Sequence, residues 1–235
     1  TNRNKEKEAN YLRVLESKMI DGIIVISGVS EFESDALASS VPIICIDRQP
    51  KNENSVLIES DHFKGAYLAG EELLKKQCKN IGIIVQRTYL SSSIERINGF
   101  RAALQQYGMF KEKNMIIIPE GDSLSKTEAT RKMVKKFYEE NPKLDGIFAI
   151  NDRLAIGAMR AIEELGYKIA EDVKIVGFDS DPISRYCSPK LTTIKQDSKQ
   201  IAKQACSTLQ QLIENNGTLI EAHQIIPVEL IQGET

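Results

Sequence analysis

Short runs of β-branched apolar residues alternate along this chain with amphipathic stretches of helical periodicity, and this alternation constrains the fold more than any other feature. The runs are apolar throughout, which is typical of parallel strands covered by helices on both faces. The pattern therefore predicts an α/β fold built from βαβ units around parallel sheets. Six predicted strands cover residues 22–27, 41–47, 80–86, 115–118, 145–152 and 173–179.

Polar residues mark where several predicted helices begin. Ser93, Asp152 and Asp197 each precede a helical stretch and are predicted N-caps. Glycines follow the same stretches at the positions where a left-handed residue ends a helix. These glycines are Gly108, Gly166 and Gly217.

Five of the six predicted strands end in a polar side chain. In open α/β sheets the carboxyl ends of the strands face the crevice that binds ligands, so these residues are expected to converge on one cleft. Each of them alone could equally be a helix cap or a turn residue. The five positions are Ser27, Asp47, Gln86, Asn151 with Asp152, and Asp179.

The motifs of common catalytic and cofactor sites do not occur in the sequence. It contains neither Gly-x-Gly-x-x-Gly nor Gly-x-x-x-x-Gly-Lys-Ser/Thr, and no Gly-x-Ser-x-Gly elbow. The two histidines are His62 and His223, and His62 is expected to be a surface or capping group at a helix start. No cluster has the spacing of metal ligands. We therefore expect a protein that is not an enzyme and that holds no metal or cofactor.

Charge and cysteine usage exclude further classes. The formal net charge of -2 provides no basic field for nucleic acid. Four cysteines lie far apart without a Cys-x-x-Cys pair, which indicates reduced thiols in a cytoplasmic protein. Apolar runs of four or five residues are far below the ~20 that span a bilayer, so no membrane contact is expected.

A small polar ligand fits the remaining pattern better. Asp, Asn, Gln, Arg and Ser side chains suit a polyhydroxylated molecule, because each hydroxyl both donates and accepts hydrogen bonds. Arg96 follows a strand end in the first turns of a helix and would supply a planar fork. The alternative for Arg96 is a solvated ion pair with Glu95 or Glu112.

Three blocks resemble the effector-binding core of the lactose and galactose repressor family of bacterial transcription regulators. They are Ile150-Asn-Asp-Arg-Leu-Ala-Ile-Gly-Ala-Met-Arg-Ala-Ile162, Val176-Gly-Phe-Asp179 and Leu191-Thr-Thr-Ile-Lys-Gln-Asp197. The resemblance runs nearly end to end. It implies a type I periplasmic-binding-protein fold, in which two doubly wound parallel-sheet lobes are joined by three crossings and hold the effector between them. The lobes would be 1–60 with 196–218, and 61–195 with 219–235.

The resemblance also implies site residues. The effector contacts that it carries over are Asp47, Ser92, Arg96, Asn151, Asp179 and Gln196. Ser123 stands where sugar-binding members often place an aromatic residue after Glu-Gly-Asp, so a stacking platform is sought at Phe148, Phe178 or Tyr89. The resemblance implies a homodimer, with candidate contacts at Arg153, Ile156, Met159, Arg160, Tyr186 and Cys187.

Members of that family begin with a helix-turn-helix headpiece that binds operator DNA, and this sequence has no counterpart of it. We therefore expect the polypeptide to be longer than the 235 residues given, with the headpiece and the first strand, helix and strand of the first lobe preceding Thr1. Operator DNA would be bound through that headpiece. A phosphocarrier protein is a further candidate partner. The alternative function is an extracytoplasmic sugar-binding protein of a transporter with the same fold.

Overall fold

Two separate sheets organise the chain. The computed structural model describes residues 4–26, 41–51, 55–87, 90–119, 123–141, 144–215 and 221–235. In chain order its helices and strands are α1 (Lys5–Ser17), β1 (Ile23–Ile26), β2 (Ile43–Ile46), β3 (Ser55–Ser60), α2 (His62–Lys75), β4 (Ile81–Gln86), α3 (Ser91–Gln105), β5 (Met115–Ile118), α4 (Ser123–Glu140), β6 (Gly146–Ala149), α5 (Asp152–Glu164), β7 (Lys174–Asp179), β8 (Thr192–Gln196), α6 (Ser198–Glu214), β9 (His223–Ile226) and β10 (Val228–Ile231). Short 3₁₀ turns lie at Glu112–Asn114 and Pro182–Tyr186.

The chain divides into two compact units. Unit 1 comprises Thr1–Asp61, Tyr89–Ser92 and Asp197–Pro227, and unit 2 comprises His62–Thr88, Ser93–Gln196 and Val228–Thr235. Within the described residues, the chain changes unit at 61/62, at 196/197 and at 227/228. It also returns from unit 1 to unit 2 at 92/93, after the short stretch Tyr89–Ser92.

The sheet of unit 1 has the strand order β1-β2-β3-β9, and all three pairings are parallel. Helix α6 packs Ile201, Ala205 and Leu212 against Ile44 and Ile58. A second apolar cluster places Leu12 of α1 with Ile43, Cys45 and Leu57. Because consecutive residues of β2 fall in different clusters, the strand is buried on both faces, which explains why it is apolar throughout.

Strand β9 corrects one expected boundary. The sequence reading placed residues from 219 onward in the second lobe, whereas His223–Ile226 pairs in parallel with β3 of unit 1. The chain leaves unit 1 after Pro227, and β10 then joins the other sheet antiparallel to β8. Two short strands separated by one proline give no composition signal of a change of sheet, so this boundary was not readable from the sequence.

The sheet of unit 2 has the order β10-β8-β7-β6-β4-β5, parallel except for β10. Its core includes Phe100, Phe148 and Phe178, which are all fully buried. Helices α4 and α5 pack so closely at Gly157 that a Cβ there would collide with Thr127 and Thr130. The structure confirms the α/β class and the parallel sheets that the pattern predicted.

Helix ends agree with the sequence in part. Asp197 is the N-cap of α6 and accepts from the Gln200 N–H. The predicted caps Ser93 and Asp152 are wrong: α3 begins at Ser91, and α5 is capped by Asn151.

The glycines predicted at helix ends agree with the structure where it describes them. Helices α3 and α5 are followed by Gly108 and Gly166 with φ of +63° and +83°, as predicted. Gly217 lies outside the described residues.

The four thiols are unpaired. Burial raises the pKa of Cys45 to about 12 and that of Cys78 to about 11, so neither thiol is a nucleophile at neutral pH. Among the helices of the described ranges, none combines the length and hydropathy that a membrane crossing requires.

Candidate functional site

Arg96 lies on α3 at the carboxyl edge of the unit 2 sheet, over the ring of Phe178. Its guanidinium carbon is 3.8 Å from the ring centroid, and the side chain is 11% exposed. Nη1 donates to the carbonyl of Ile150 at 2.6 Å, just beyond the end of β6. Stacking and a backbone acceptor together fix the plane of the fork. The solvated pair with Glu95 or Glu112 is wrong, because the Arg96 side chain is largely buried and its guanidinium lies 3.0 Å from Asp179, while Glu112 pairs with Arg101.

Asp179 at the end of β7 is the counterion of Arg96. Nη1 of Arg96 lies 3.0 Å from Oδ1 of Asp179, and the Nε2 group of Gln196 donates to the same oxygen at 2.8 Å. Burial raises the pKa of Asp179, and the Arg96 guanidinium opposes that rise. Strands β7 and β8 are neighbours, so their last residues meet at one edge of the sheet. The structure thus brings together three of the predicted residues.

Asp179 and the residue after it have left-handed backbones. The φ angles are +105° for Asp179 and +51° for Ser180. Such angles are unfavourable for residues with a Cβ and persist only where neighbouring contacts impose them. The turn therefore holds the Asp179 carboxylate in one orientation toward Arg96.

His62 contacts Arg96, and its burial differs from what the sequence predicted. It is the first residue of α2, but it is 2% exposed, and not the surface group expected. Nε of Arg96 lies 3.3 Å from Nδ1 of His62, with Arg96 as the donor. Burial here results from packing under α3, which no local pattern reveals. Its position two residues after the end of β3 was the one available signal.

One donor of Arg96 stays open for a ligand. Nε donates to His62, and Nη1 donates to the Ile150 carbonyl and pairs with Asp179. Among the groups that the structure describes, none accepts from Nη2. A guanidinium with one nitrogen unused at the carboxyl edge of a parallel sheet can donate two hydrogen bonds to a polar ligand.

Asn151 lies at the same edge and is the N-cap of α5. Its Oδ1 accepts from the N–H of Leu154 at 3.0 Å and caps α5, while its neighbour Ile150 holds Arg96. The side chain is half-buried, and its NH₂ group has no acceptor among the described residues. The amide can therefore cap the helix and donate to a ligand at once.

Replacing Asn151 with alanine should lower the free energy of unfolding by about 1 kcal/mol, because α5 loses its N-cap acceptor. Urea denaturation followed by far-UV circular dichroism measures this loss. Asn151→Ser retains a capping oxygen and should keep most of the stability. Equal losses in both variants would contradict the cap assignment.

The other predicted effector contacts, and the remaining polar strand ends, lie at varied positions. Ser92 is half-buried in the first turn of α3. Asp47 belongs to unit 1, where its Oδ1 accepts from the Ser60 N–H at 3.3 Å. Gln86 is buried at the end of β4. Ser27 and Tyr89 lie outside the described residues, and Ser123 is described only as the first residue of α4.

The aromatic platform expected at Phe148 is wrong. Phe148 is fully buried on the central strand β6, with its ring 4.9 Å from that of Phe100 at an interplanar angle of 30°. Its side chain points into the apolar layer and presents no face to a ligand. Phe178 is equally buried, but it supports the site by carrying Arg96.

The residues expected at a dimer contact differ in exposure. Ile156 and Met159 are 8% and 4% exposed, so they pack within this chain and offer little surface, against expectation. Arg153 and Arg160 are exposed, and Arg153 pairs with Asp181 at 3.2 Å. Cys187 is half-buried. Tyr186, on the 3₁₀ turn after β7, is 87% exposed.

Comparison with known proteins gives consistent matches. The family model of the periplasmic binding protein-like domain matches residues 71–235. The HTH-type transcriptional repressor PurR of Histophilus somni is 30% identical over 99% of this chain and 69% of its own length. The ribose operon repressor of Halalkalibacterium halodurans is 30% identical over 100% and 68%. A ribose-bound LacI family transcriptional regulator from Enterococcus faecium superposes with a TM-score of 0.81 at 28% identity, covering 96% of this chain and 82% of that one.

Proposed function

The chain belongs to the LacI family of transcriptional regulators, through their periplasmic-binding-protein-like domain, and we propose that it binds a sugar or related small metabolite as the effector of such a regulator. The observation that carries the proposal is the Arg96–Asp179–Gln196 cluster, with its open Nη2 donor. The named relatives are repressors, which favours a regulator over a transporter's binding protein.

The chemistry of the cluster suits adjacent hydroxyls. Nη2 of Arg96 donates, the second carboxylate oxygen of Asp179 accepts, and the Asn151 amide donates. The two oxygens of a diol can accept from the two donors, and one of its hydroxyl hydrogens can be donated to the carboxylate. Because these side chains are already held by Phe178, Gln196 and the α5 N-terminus, little conformational entropy is lost when the ligand binds.

A pentose is the effector class that we favour. One similar protein is named a ribose operon repressor, and one similar structure contains ribose. No tryptophan occurs in the chain, and Phe148 and Phe178 are buried in the core. A small furanose or pyranose held mainly by hydrogen bonds fits that composition better than a large ring that needs a stacking platform.

Isothermal titration calorimetry of the purified protein with D-ribose, D-xylose and D-glucose tests this function. We expect at least one pentose to bind with a Kd well below about 1 mM, which corresponds to about -4 kcal/mol. Glucose should bind more weakly, since a sixth carbon must be accommodated. If no sugar bound, the proposed effector class would be wrong.

Operator binding is part of the proposal through a DNA-binding segment such as the named HTH-type repressors carry. A regulator of this type acts in the cytoplasm, where free thiols such as Cys78 stay reduced. The phosphocarrier partner considered above stays a prediction.

A homodimer is also part of the proposal, with Tyr186 and Ile183 at its contact. They are 87% and 45% exposed and lie on one 3₁₀ turn, and large exposed apolar side chains are typical of protein interfaces. We expect Tyr186→Asp to weaken dimerisation by about 1–2 kcal/mol, roughly tenfold. Sedimentation velocity over a concentration series measures it. Tyr107→Asp, at another exposed tyrosine (67%), is the control and should leave the dimer unchanged.

A further inference from the structure

Asp152 is a buried carboxylate that the ligand cluster does not use. It stands in the first turn of α5, where an acidic residue usually faces solvent, yet it is 1% exposed. Burial of a carboxylate is costly unless hydrogen bonds satisfy it. The explanation for its position must therefore lie in the groups that it holds.

Those groups are the turn after β7 and Thr193 of the neighbouring strand β8. Oδ2 of Asp152 accepts from the N–H of Asp181 at 2.7 Å, and Oδ1 accepts from the hydroxyl of Thr193 at 2.5 Å. The Thr193 oxygen in turn accepts from the N–H of Ser180 at 3.3 Å. Both peptide groups that follow Asp179 are thus tied, directly or through Thr193, to one carboxylate.

The backbone that Asp152 holds is the left-handed pair Asp179–Ser180. Space for the carboxylate is provided by Gly177 on β7, where a Cβ would collide with Oδ1 of Asp152. Thr193 is 2% exposed, so water does not compete with these bonds. A conformation that is unfavourable for Asp and Ser is therefore maintained by contacts from a different helix and a neighbouring strand.

We infer that Asp152 is the positioning residue for the ligand contact Asp179, because its carboxylate fixes the turn from which the Asp179 side chain reaches Arg96 and Gln196. This inference rests on the proposed function of that cluster. The same turn continues into the 3₁₀ segment that carries Tyr186, so Asp152 anchors the segment between the ligand cluster and the proposed dimer contact.

The arrangement makes the turn sensitive to pH. Burial raises the pKa of Asp152 to about 7, and the nearby charge of Asp179 contributes to the rise. The other titratable or charged groups around it are Asp181 with its partner Arg153, and Cys187. A proton on one oxygen converts an acceptor into a donor, so the hold on Ser180 and Asp181 weakens as the pH falls through about 7.

The stability of the fold changes with pH in the opposite direction to the hold on the turn. The pKa of Asp152 is higher in the folded chain than its ordinary value of 3.8, so the folded state binds the extra proton between about pH 4 and 7. Relative to Asp152→Asn, the wild type should therefore lose stability as the pH rises through that window. Affinity for the effector should rise over the upper part of the same window, since the ionised carboxylate positions Asp179.

The experiment compares Asp152→Ala, Asp152→Asn and Asn114→Ala. Asn114 is a matched control, because it is 5% exposed and hydrogen-bonded within unit 2 but lies at the start of β5, the opposite end of the sheet. With D-ribose as probe at pH 8, Asp152→Ala should bind about tenfold more weakly or worse, and Asp152→Asn should stay within about threefold, since its carbonyl still accepts from Asp181. Asn114→Ala should lose stability and keep its affinity.

A pH series separates positioning from a structural contribution. The affinity ratio of wild type to Asp152→Asn should rise from pH 6 to pH 8, because only the wild type carries the carboxyl that titrates at position 152. A flat ratio, or wild-type affinity in Asp152→Ala, would overturn the inference.

Nuclear magnetic resonance decides the placement without any effector. In Asp152→Ala the backbone amides of Ser180 and Asp181 and the side-chain amide of Gln196 should all shift, and in Asn114→Ala they should not. If D-ribose failed to bind the wild type, the proposed pentose function would fail, but these shifts would still support the positioning of Asp179. Unshifted Gln196 resonances in Asp152→Ala would overturn it.

Discussion

Replacing Arg96 with alanine should weaken D-ribose binding by about 3 kcal/mol or more, a factor of at least roughly 100. The variant removes the open Nη2 donor and also leaves Asp179 without its counterion at 3.0 Å. Gln196 then remains as the one described side chain that donates to Asp179. Loss of the guanidinium also uncovers the ring of Phe178 at the ligand edge.

Two variants serve as controls for this loss in calorimetric titrations. Arg101→Ala lies on the same helix and removes an exposed pair with Glu112, so it should keep wild-type affinity. Arg96→Lys keeps the charge but not the planar fork, and it should fall between the wild type and Arg96→Ala. Wild-type affinity in Arg96→Ala would show that the ligand site is elsewhere.

The sequence indicated which side chains share the carboxyl edge of the unit 2 sheet because several of them sit at strand ends. Asp179 ends a strand, and Asn151 lies two residues beyond the end of another. The alternation of apolar runs with helices determines which ends of parallel strands share an edge. Arg96 was readable from its place after the end of β4. Gln196 came from the family resemblance, since its strand is too polar for an apolar run to mark it.

What the sequence could not predict depends on side-chain packing and on backbone angles. His62 is buried because α3 covers it, and Asp152 is buried because Gly177 leaves room for it. The left-handed angles of Asp179 and Ser180 have no residue signature, since both are L-residues with a Cβ. Such features are imposed by tertiary contacts, and local patterns carry no record of them.

The sequence also failed to predict where the chain changes sheet between β9 and β10, for a related reason. Pro227 separates two four-residue strands, and both strands have similar composition. Partner choice depends on the register with β3 and β8, which are distant in sequence. A boundary that is set by long-range pairing alone is not visible in a single sequence.

Phe148→Ala should lower the free energy of unfolding by about 3–5 kcal/mol, because a fully buried ring is removed from the central strand of unit 2. The cavity would lie beside Phe100, whose ring loses its stacking partner at 4.9 Å. Urea denaturation monitored by circular dichroism measures the loss. Phe148→Leu fills most of the volume and should cost considerably less.

Binding by Phe148→Ala also tests whether Phe148 belongs to the core or to the ligand site. A stacking platform would contact the sugar, so its removal would weaken binding even in fully folded protein. A core residue contributes to stability alone. We expect folded Phe148→Ala, kept below its unfolding transition at low temperature, to bind D-ribose with wild-type affinity. A loss of affinity comparable with that of Arg96→Ala would return Phe148 to the ligand site, in spite of its burial, and would require β6 to move when the ligand binds.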